Sequence, residues 1–251
     1  MTIKRTMALA VLAVTAWTTP AAAADMLVAA SSSLKGAFTE LVVGFQQANP
    51  GTRVLMTFAG SDALVGQVVH GAPIDVLATA DQSSMDRAAQ AGSIDTATRR
   101  NFAGNDVVLI VPPANPLKIS SVGDLAASGV KRVAFGNPAT SSAGRYTKAS
   151  LEQSGQWDIV KQREVLGKDV GEVLDAVASG EADAGFVFAS DAATLPDKVR
   201  AVQTLASPSP VSYPIALVQR PGRHPQAQAF LEHVVSAQGA AVLAKHGFKQ
   251  P

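Results

Sequence analysis

Short apolar strands alternate with amphipathic helices from residue 25 onward, and this alternation restricts the possible folds more than any other feature. The strand Met26–Ala30 runs directly into a helix whose apolar residues, from Leu34 to Phe45, recur with i, i+3, i+4 spacing. Repeated alternation of this kind predicts an α/β architecture with largely parallel sheets. It predicts further strands at 53–58, 74–79, 106–111, 132–135, 184–188, 199–205 and 213–218, and helices at 62–70, 82–91, 122–127, 143–154, 170–179, 226–236 and 237–245.

The chain has 251 residues, which is more than the commonest domain size, yet no long linker divides it. Two domains would therefore be joined by crossing strands, for which the apolar runs 106–111 and 213–218 are the best candidates. We predict a two-lobed protein with a ligand cleft between the lobes. Lobe 1 comprises 25–105 and 214–251, and lobe 2 comprises 106–213.

Residues 1–24 have the pattern of a secretory signal peptide. Lys4 and Arg5 form a positively charged start, 7–17 is an apolar core too short to span a bilayer, and 21–24 are small residues suited to cleavage. We place cleavage after Ala23 or Ala24 and expect an exported protein. The absence of cysteine fits an exported chain that is stabilised by its core without disulfides.

The charge balance argues against nucleic acid or an anionic membrane as a partner. The whole chain has 21 basic and 20 acidic residues, and loss of Lys4 and Arg5 leaves 19 against 20. The chain after residue 24 therefore lacks the excess of basic residues that is typical of proteins that bind nucleic acid or anionic membranes. Aromatic residues make up only 5%, so a stacking platform for bases is not expected either.

Four turns rich in hydroxyl groups or glycine each precede a predicted helix: 31–33, 59–62, 137–144 and 167–169. The free N–H groups and the dipole of a helix N-terminus favour an anion, and ligands of open α/β sheets bind beyond the carboxyl ends of strands. Taken singly, each turn is more typical of a simple helix cap, above all Asp169. Taken together, the four favour one shared site for a small anion.

Signals of an enzyme are weak. No Gly-x-Ser-x-Gly elbow, His-Glu-x-x-His motif or phosphate-binding loop is present. Asp75 and Asp81 bracket a predicted strand and could form a carboxylate pair, although a helix cap at Asp81 and a turn contact at Asp75 are the more ordinary roles. An exported hydrolase that uses these carboxylates with a histidine is the remote alternative.

An ordered set of short motifs resembles the periplasmic molybdate-binding proteins of ABC transporters. The resemblance covers essentially the whole chain after residue 24, and the set is more specific than any one of its motifs. The motifs are Ser31-Ser32-Ser33-Leu34-Lys35, Phe58-Ala59-Gly60-Ser61, Gly71-Ala72-Pro73-Ile74-Asp75-Val76, Gly136-Asn137-Pro138, Ala143-Gly144-Arg145-Tyr146, Lys168-Asp169-Val170, Gly180-Glu181-Ala182-Asp183-Ala184-Gly185, Tyr213-Pro214 and Lys245-His246-Gly247-Phe248.

The resemblance implies the two-lobed fold of type II solute-binding proteins, closed over a tetrahedral oxyanion. It also implies hydrogen bonds to that oxyanion from the hydroxyls and amides of Ser33 and Ser61 and from the amides of Ala143 and Val170. Many members add a tyrosine hydroxyl at the position of Phe188, which has no donor here. Ser32, Ser142 or a bound water are the candidates to replace that hydroxyl.

The resemblance further implies a periplasmic binding protein, not an enzyme, that captures molybdate and delivers it to the membrane permease of an ABC transporter. Tungstate should bind about as well, whereas protonated phosphate should bind poorly because its O–H would lack an acceptor. Sulfate is the alternative ligand. This alternative stays open because Phe188 lacks the hydroxyl that many members of the family have at this position. We expect a monomer with no cofactor and no cation site.

Overall fold

The computed structural model describes residues 25–251; the predicted signal peptide lies outside them. The described residues form ten strands in two sheets, flanked by nine α-helices and two 3-10 turns, Ser32–Leu34 and Val122–Ala126. The strands are β1 Met26–Ser31, β2 Val54–Ala59, β3 Val76–Ala78, β4 Ile94–Asn105, β5 Val107–Val111, β6 Val133–Gly136, β7 Glu164–Gly167, β8 Ala184–Phe188, β9 Arg200–Thr204 and β10 Val211–Val218. The helices are α1 Lys35–Ala48, α2 Ser61–Val69, α3 Gln82–Gln90, α4 Ser142–Gln153, α5 Trp157–Lys161, α6 Val170–Ala178, α7 Ala189–Ala192, α8 Ala227–Val235 and α9 Ala237–Lys245.

The two sheets have matching topologies. The first has the strand order β2-β1-β3-β10-β4 and the second β7-β6-β8-β5-β9. In each sheet three neighbouring strands are parallel and two more are added in antiparallel pairing. The predicted two-lobed α/β fold is therefore confirmed, although antiparallel pairing has a larger share than the alternation suggested.

The chain passes between the sheets twice. It leaves the first sheet at Asn105 and enters the second at Val107, and it returns through residues 205–210 before β10 begins at Val211. We define lobe 1 as the first sheet with its helices and lobe 2 as the second sheet with its helices. The boundary predicted between 213 and 214 falls inside β10, so we propose that lobe 1 resumes at Val211.

Helices predicted from apolar stripes bury those stripes. In α1 the buried side chains are Ala37, Phe38, Leu41, Val42 and Phe45. The C-terminal helices α8 and α9 pack against α1, on lobe 1. In residues 25–251 no helix combines the length and the apolar character that a membrane crossing requires.

Four elements were missing from the sequence-based prediction: the strands β4 and β7 and the short helices α5 and α7. Both strands lie at sheet edges, and much of each is exposed. An edge strand with one solvated side need not show the apolar alternation on which the prediction relied. The pattern therefore predicted all the inner strands, whereas at the sheet edges it predicted β2 and β9 and missed β4 and β7.

Gly144 brings α4 close to the end of β6. A Cβ at Gly144 would lie 2.0 Å from the carbonyl oxygen of Gly136, which is far inside van der Waals contact. Only glycine lets the first turn of α4 sit this close to the sheet.

We predict that Gly144→Ala destabilises the protein, by about 1–3 kcal/mol, because the added methyl group forces α4 away from β6. Denaturant unfolding of the purified protein measures the change. Gly66→Ala is the matched control, since Gly66 lies inside α2 with no atom within 4 Å of its would-be Cβ. The free energy of unfolding of Gly66→Ala should rise by about 0.5–1 kcal/mol. A Gly144→Ala protein that is as stable as the unaltered protein, or that gains stability as Gly66→Ala does, would contradict the packing argument.

Candidate functional site

The N-termini of α2 in lobe 1 and α4 in lobe 2 meet across the cleft. The hydroxyl oxygens of Ser61 and Ser142 lie 3.0 Å apart, and both side chains are buried. Ser61 Oγ also accepts a hydrogen bond of 3.0 Å from the backbone N–H of Ala80. A Cβ at Gly60 would lie 3.1 Å from the carbonyl oxygen of Lys168 in lobe 2, so the glycine before Ser61 allows this close approach.

The other two predicted helix starts also face each other. The 3-10 turn that contains Ser33 lies against α6 of lobe 2, whose first residue is Val170. The Asp169 side chain caps α6 by accepting from the N–H groups of Gly171 and Glu172, at 2.9 and 3.2 Å. The capping role predicted for Asp169 is therefore confirmed. These capping bonds do not involve the N–H of Val170. As the first N–H of the helix, it has no partner within the helix.

In α4, the capping side chain likewise leaves the first N–H groups available. Ser141 Oγ accepts from the N–H of Gly144 at 3.4 Å, and the Ser141 carbonyl accepts from the N–H of Arg145 at 3.0 Å. Ala143 is buried, and its N–H is among those with no partner inside the helix.

Phe188 and Ser32 have different surroundings. Phe188 is buried at the end of β8, with its ring 6.2 Å from that of Tyr146 and 5.6 Å from that of Tyr213. Ser32 is only half-buried in the turn before α1. Nothing in these contacts assigns either residue to a ligand, so both stay predicted lining residues, as do Ser33, Ser61, Ala143 and Val170 as direct contacts.

The arrangement suits a small, fully ionised oxyanion. Its donors are neutral hydroxyls and helix N-terminal N–H groups, contributed by both lobes. Such groups favour negative charge through oriented dipoles and need no charged side chain in contact with the ligand. A ligand that donates protons would find few acceptors there.

Sequence reasoning missed the strongest polar contact between the lobes, which is made by Arg145 of α4. Its Nη1 and Nη2 atoms donate to the two carboxylate oxygens of Asp62 at 3.1 and 2.9 Å. Its Nε and Nη2 donate to Asp81 Oδ2 at 3.0 and 2.5 Å. Because both acids belong to lobe 1, one guanidinium fork ties lobe 2 to two helix starts of lobe 1. We call Arg145, Asp62 and Asp81 the interlobe clamp.

The pKa values of the interlobe clamp follow from its geometry. Burial raises the pKa of the Asp81 carboxyl, but the Arg145 charge and hydrogen bonds from Ser84 and Ser142 outweigh burial and hold it below its usual value. Burial lowers the pKa of Arg145, and its bonds to Asp62 and Asp81 reverse that effect. A depressed carboxyl pKa stabilises the fold above the usual carboxyl range and loses that contribution in acid. Asp81 and Arg145 are therefore both charged at neutral pH.

One sequence signal could have revealed the clamp. Arg145 stands in the first turn of α4, where the helix dipole disfavours a positive charge. A positive charge at this position is therefore expected to pair with a nearby carboxylate. Asp62 and Asp81 are carboxylates at the starts of α2 and α3, the two lobe 1 helices that face α4.

The carboxylates suggested for a hydrolase have separate roles. Asp75 accepts from the backbone N–H groups of Leu27 and His224, both at 2.8 Å, and pairs with Arg220. Asp81 caps α3 through the N–H of Ser84 at 2.6 Å, as its ordinary role predicted. They lie beyond opposite ends of β3, so they do not form a catalytic pair. Within residues 25–251, no three His, Asp or Glu side chains stand close enough to hold a metal ion.

A groove of about 1100 Å³ runs beside the two passages between the lobes. Asp81, Arg145 and Tyr146 form part of its wall, whereas none of the four predicted contact residues lines it. The groove and the candidate site are therefore separate, and two of the three clamp residues, Arg145 and Asp81, line the groove.

Asp191 is a buried acid close to the candidate site. Its Oδ2 accepts from the N–H of Phe188 at 3.2 Å. Burial raises the pKa of Asp191 to about 8, and the nearby Asp169 carboxylate adds to the rise. At neutral pH Asp191 is thus mostly protonated, and it adds little negative charge beside a site that suits anions.

Known proteins similar to this chain include molybdate-binding and sulfate-binding proteins. The family model for bacterial extracellular solute-binding proteins matches residues 26–249. Molybdate-binding protein ModA of Mycobacterium bovis is 35% identical over 230 residues, which cover 91% of this chain and 86% of that protein. The periplasmic molybdate-binding protein of Azotobacter vinelandii shares the fold, with a TM-score of 0.77 and 23% identity over 90% of this chain and 100% of that one. A sulfate-binding protein of Synechococcus elongatus is 26% identical over 78% of this chain and 63% of its own length.

We predict that Arg145→Met opens the ligand-free protein, because the change removes the bonds from lobe 2 to Asp62 and Asp81 of lobe 1, and Asp62 is left paired only with Arg87 of its own lobe. Small-angle X-ray scattering should show a larger radius of gyration than for the unaltered chain.

Arg99→Met is the matched control for this prediction, since Arg99 pairs with Asp86 at 2.7 Å inside lobe 1. Its radius of gyration should stay at the value of the unaltered chain. Equal radii for all three proteins would contradict the role of the interlobe clamp.

We predict that Asp191→Asn changes the pH dependence of stability. Because the folded chain holds the Asp191 proton up to about pH 8, folding takes up a proton above the usual carboxyl pKa of about 3.9, and stability falls as pH rises through this window. Asparagine cannot ionise and keeps an acceptor for Phe188. Thermal unfolding should show the variant more stable than the unaltered protein at pH 8 and closer to it near pH 4.

The control is Asp175→Asn on the exposed face of α6. It should leave the dependence of the unfolding temperature on pH unchanged. If Asp191→Asn behaves like this control, Asp191 does not hold its proton in the folded chain.

Proposed function

The chain belongs to the bacterial extracellular solute-binding proteins, and we propose that it captures molybdate outside the cytoplasm and delivers it to the permease of an ABC transporter. Support for molybdate comes from relatives that are named molybdate-binding proteins. Their alignments cover 87% to 91% of this chain. The single observation that carries the proposal is the meeting of α2 and α4, with the Ser61 and Ser142 hydroxyls 3.0 Å apart across the cleft.

The proposed contacts are the hydroxyls and amides of Ser33 and Ser61 and the amides of Ala143 and Val170. Two come from each lobe, so a bound anion would join the lobes from within, as the interlobe clamp does from the groove side. A closed pair of lobes is the form that a permease can distinguish from an open one. Ser142 is the proposed extra donor, since its hydroxyl already lies beside that of Ser61.

We propose that tungstate binds about as well as molybdate and that sulfate binds more weakly. All three accept hydrogen bonds through four oxygens, so the donor set alone does not separate them. Size does, because molybdate and tungstate are larger than sulfate. The chain acts in the periplasm as a monomer, requires no cofactor or cation and has no enzymatic role.

Sulfate is the second candidate ligand. Phe188 removes a hydroxyl found at this position in many molybdate-binding relatives, and one relative is a sulfate-binding protein. The two candidates differ in which anion binds more tightly.

Calorimetric titration of residues 25–251 with molybdate, tungstate, sulfate and phosphate decides between them. We expect strong and similar binding of molybdate and tungstate, weaker binding of sulfate and no measurable binding of phosphate. Clear binding of sulfate without binding of molybdate would overturn the molybdate proposal in favour of the second candidate.

Ser61→Ala should weaken molybdate binding at least several-fold, since a hydrogen bond to a charged group contributes about 1.5–3 kcal/mol. Ser150→Ala is the matched control. Ser150 is a buried serine of α4 whose hydroxyl has no hydrogen-bond partner among the described residues. It should bind molybdate like the unaltered protein. Equal affinities for both variants would remove Ser61 from the site.

A further inference from the structure

Residues 247–250, close to the C-terminus, run beside the first passage between the lobes and contact both of them. They include the end of the last motif of the chain, Lys245-His246-Gly247-Phe248, to which neither the candidate site nor the proposed function gives a role. They follow α9, which packs against α1 of lobe 1. We call residues 247–250 the C-terminal strap.

The backbone of the C-terminal strap is anchored on lobe 1. The N–H of Lys249 donates to the carbonyl of Gly104 in β4 at 2.9 Å, and its carbonyl accepts from the N–H of Gly104 at 2.8 Å. A Cβ at Gly104 would lie 2.7 Å from the carbonyl oxygen of Gln250, so this glycine leaves the room that the strap occupies. The buried Phe248 ring packs edge-on against Tyr213 of β10, 5.3 Å between centroids. The strap therefore moves with lobe 1.

The same strap reaches lobe 2. The Lys249 ammonium forms an ion pair with the Asp106 carboxylate. The Asp106 carbonyl accepts from the N–H of Ala189 at 2.9 Å, so Asp106 is held by α7 of lobe 2. Gly247 lies against the same helix, because a Cβ built on it would be 3.4 Å from the Cα of Ser190. Lys249 thus binds lobe 1 with its backbone and lobe 2 with its side chain.

The two attachment points of Lys249 lie on either side of the first passage between the lobes. Gly104 precedes Asn105, where β4 ends, and Asp106 follows it, just before β5 begins at Val107. A rotation of the lobes about this passage changes the distance between the Lys249 ammonium and the Asp106 carboxylate. Because the attraction between two charges falls with distance, a rotation that separates them costs free energy.

We propose that the C-terminal strap holds the lobes at the closed angle, with Lys249 as a positioning residue for anion capture. The Lys249 and Asp106 side chains are 61% and 32% exposed, so the ion pair changes the ratio of closed to open lobes by a factor of about two to five. Both residues line the groove that Arg145 and Asp81 of the interlobe clamp also line. For ligand affinity this inference rests on the proposed function, whose donors come from both lobes.

Lys249→Glu tests the strap, because it places a second negative charge beside Asp106 and leaves the candidate site untouched. The chain has no cysteine, so nitroxide labels attach only at introduced Val69→Cys and Gln153→Cys. These exposed positions lie at the ends of α2 and α4, one on each lobe. Double electron–electron resonance of the ligand-free protein should show the ratio of closed to open lobes lowered about two- to fivefold. An unchanged distribution of distances would overturn the proposal.

Exchange of the two charges should restore closure. In the double variant Lys249→Glu/Asp106→Lys opposite charges face each other again, so the distances should return toward those of the unaltered protein. Lys245→Glu is the matched control, since Lys245 pairs with Glu40 at 2.9 Å within lobe 1. It should leave the distances unchanged. A double variant as open as Lys249→Glu alone, or an equal shift in the control, would show that the ion pair does not hold the lobes.

Molybdate titration of the same variants separates failure of the strap from failure of the proposed function. Lys249→Glu should weaken molybdate binding by up to the factor by which it lowers the closed population, and Lys245→Glu should not weaken it. If the unaltered protein does not bind molybdate, the proposed function fails, while a shift in the ligand-free distances still supports the strap. If it binds molybdate and Lys249→Glu leaves those distances unchanged, the strap alone fails.

Discussion

The unpaired N–H groups at helix starts are the constraint on which the rest of the structure depends. Each relevant helix begins just beyond the carboxyl end of a strand, so its first N–H groups face the cleft. The two lobes bring four such ends together, and four positive dipole ends repel one another unless negative charge lies among them. A captured anion supplies that charge, so closure of the lobes and binding of the anion favour each other.

Charged side chains adjust this balance from outside the site. Arg145 links lobe 2 to Asp62 and Asp81 of lobe 1, so the closed arrangement has some support before any ligand binds. Asp169 is committed to capping α6, and Asp191 stays mostly protonated at neutral pH because it is buried. The negative charge near the candidate site is therefore either paired or neutralised, which leaves the neutral donors for the ligand.

Much of the fold could be predicted from the sequence because buried stripes are periodic. The stripe of α1 and the cap at Asp81 follow from local spacing and are confirmed. The edge strand β4 could not be predicted, because its polar residues Asp95 to Asn101 are stabilised by pairing with β10, more than 100 residues away. The contact between Ser61 and Ser142 likewise spans 81 residues and exists only through the closed lobes. The site residues could be proposed from a family resemblance, whereas the bonds of Arg145 to Asp62 and Asp81 needed the structure.

The most direct test of this account is a crystal structure of residues 25–251 grown with molybdate, with diffraction recorded at the molybdenum absorption edge. The anomalous signal locates the metal atom of the oxyanion without reference to the protein coordinates. We predict one strong peak between the lobes, within hydrogen-bonding reach, through its oxygens, of Ser33, Ser61, Ala143 and Val170. A peak in the groove beside Arg145, or no peak in the cleft, would contradict the account.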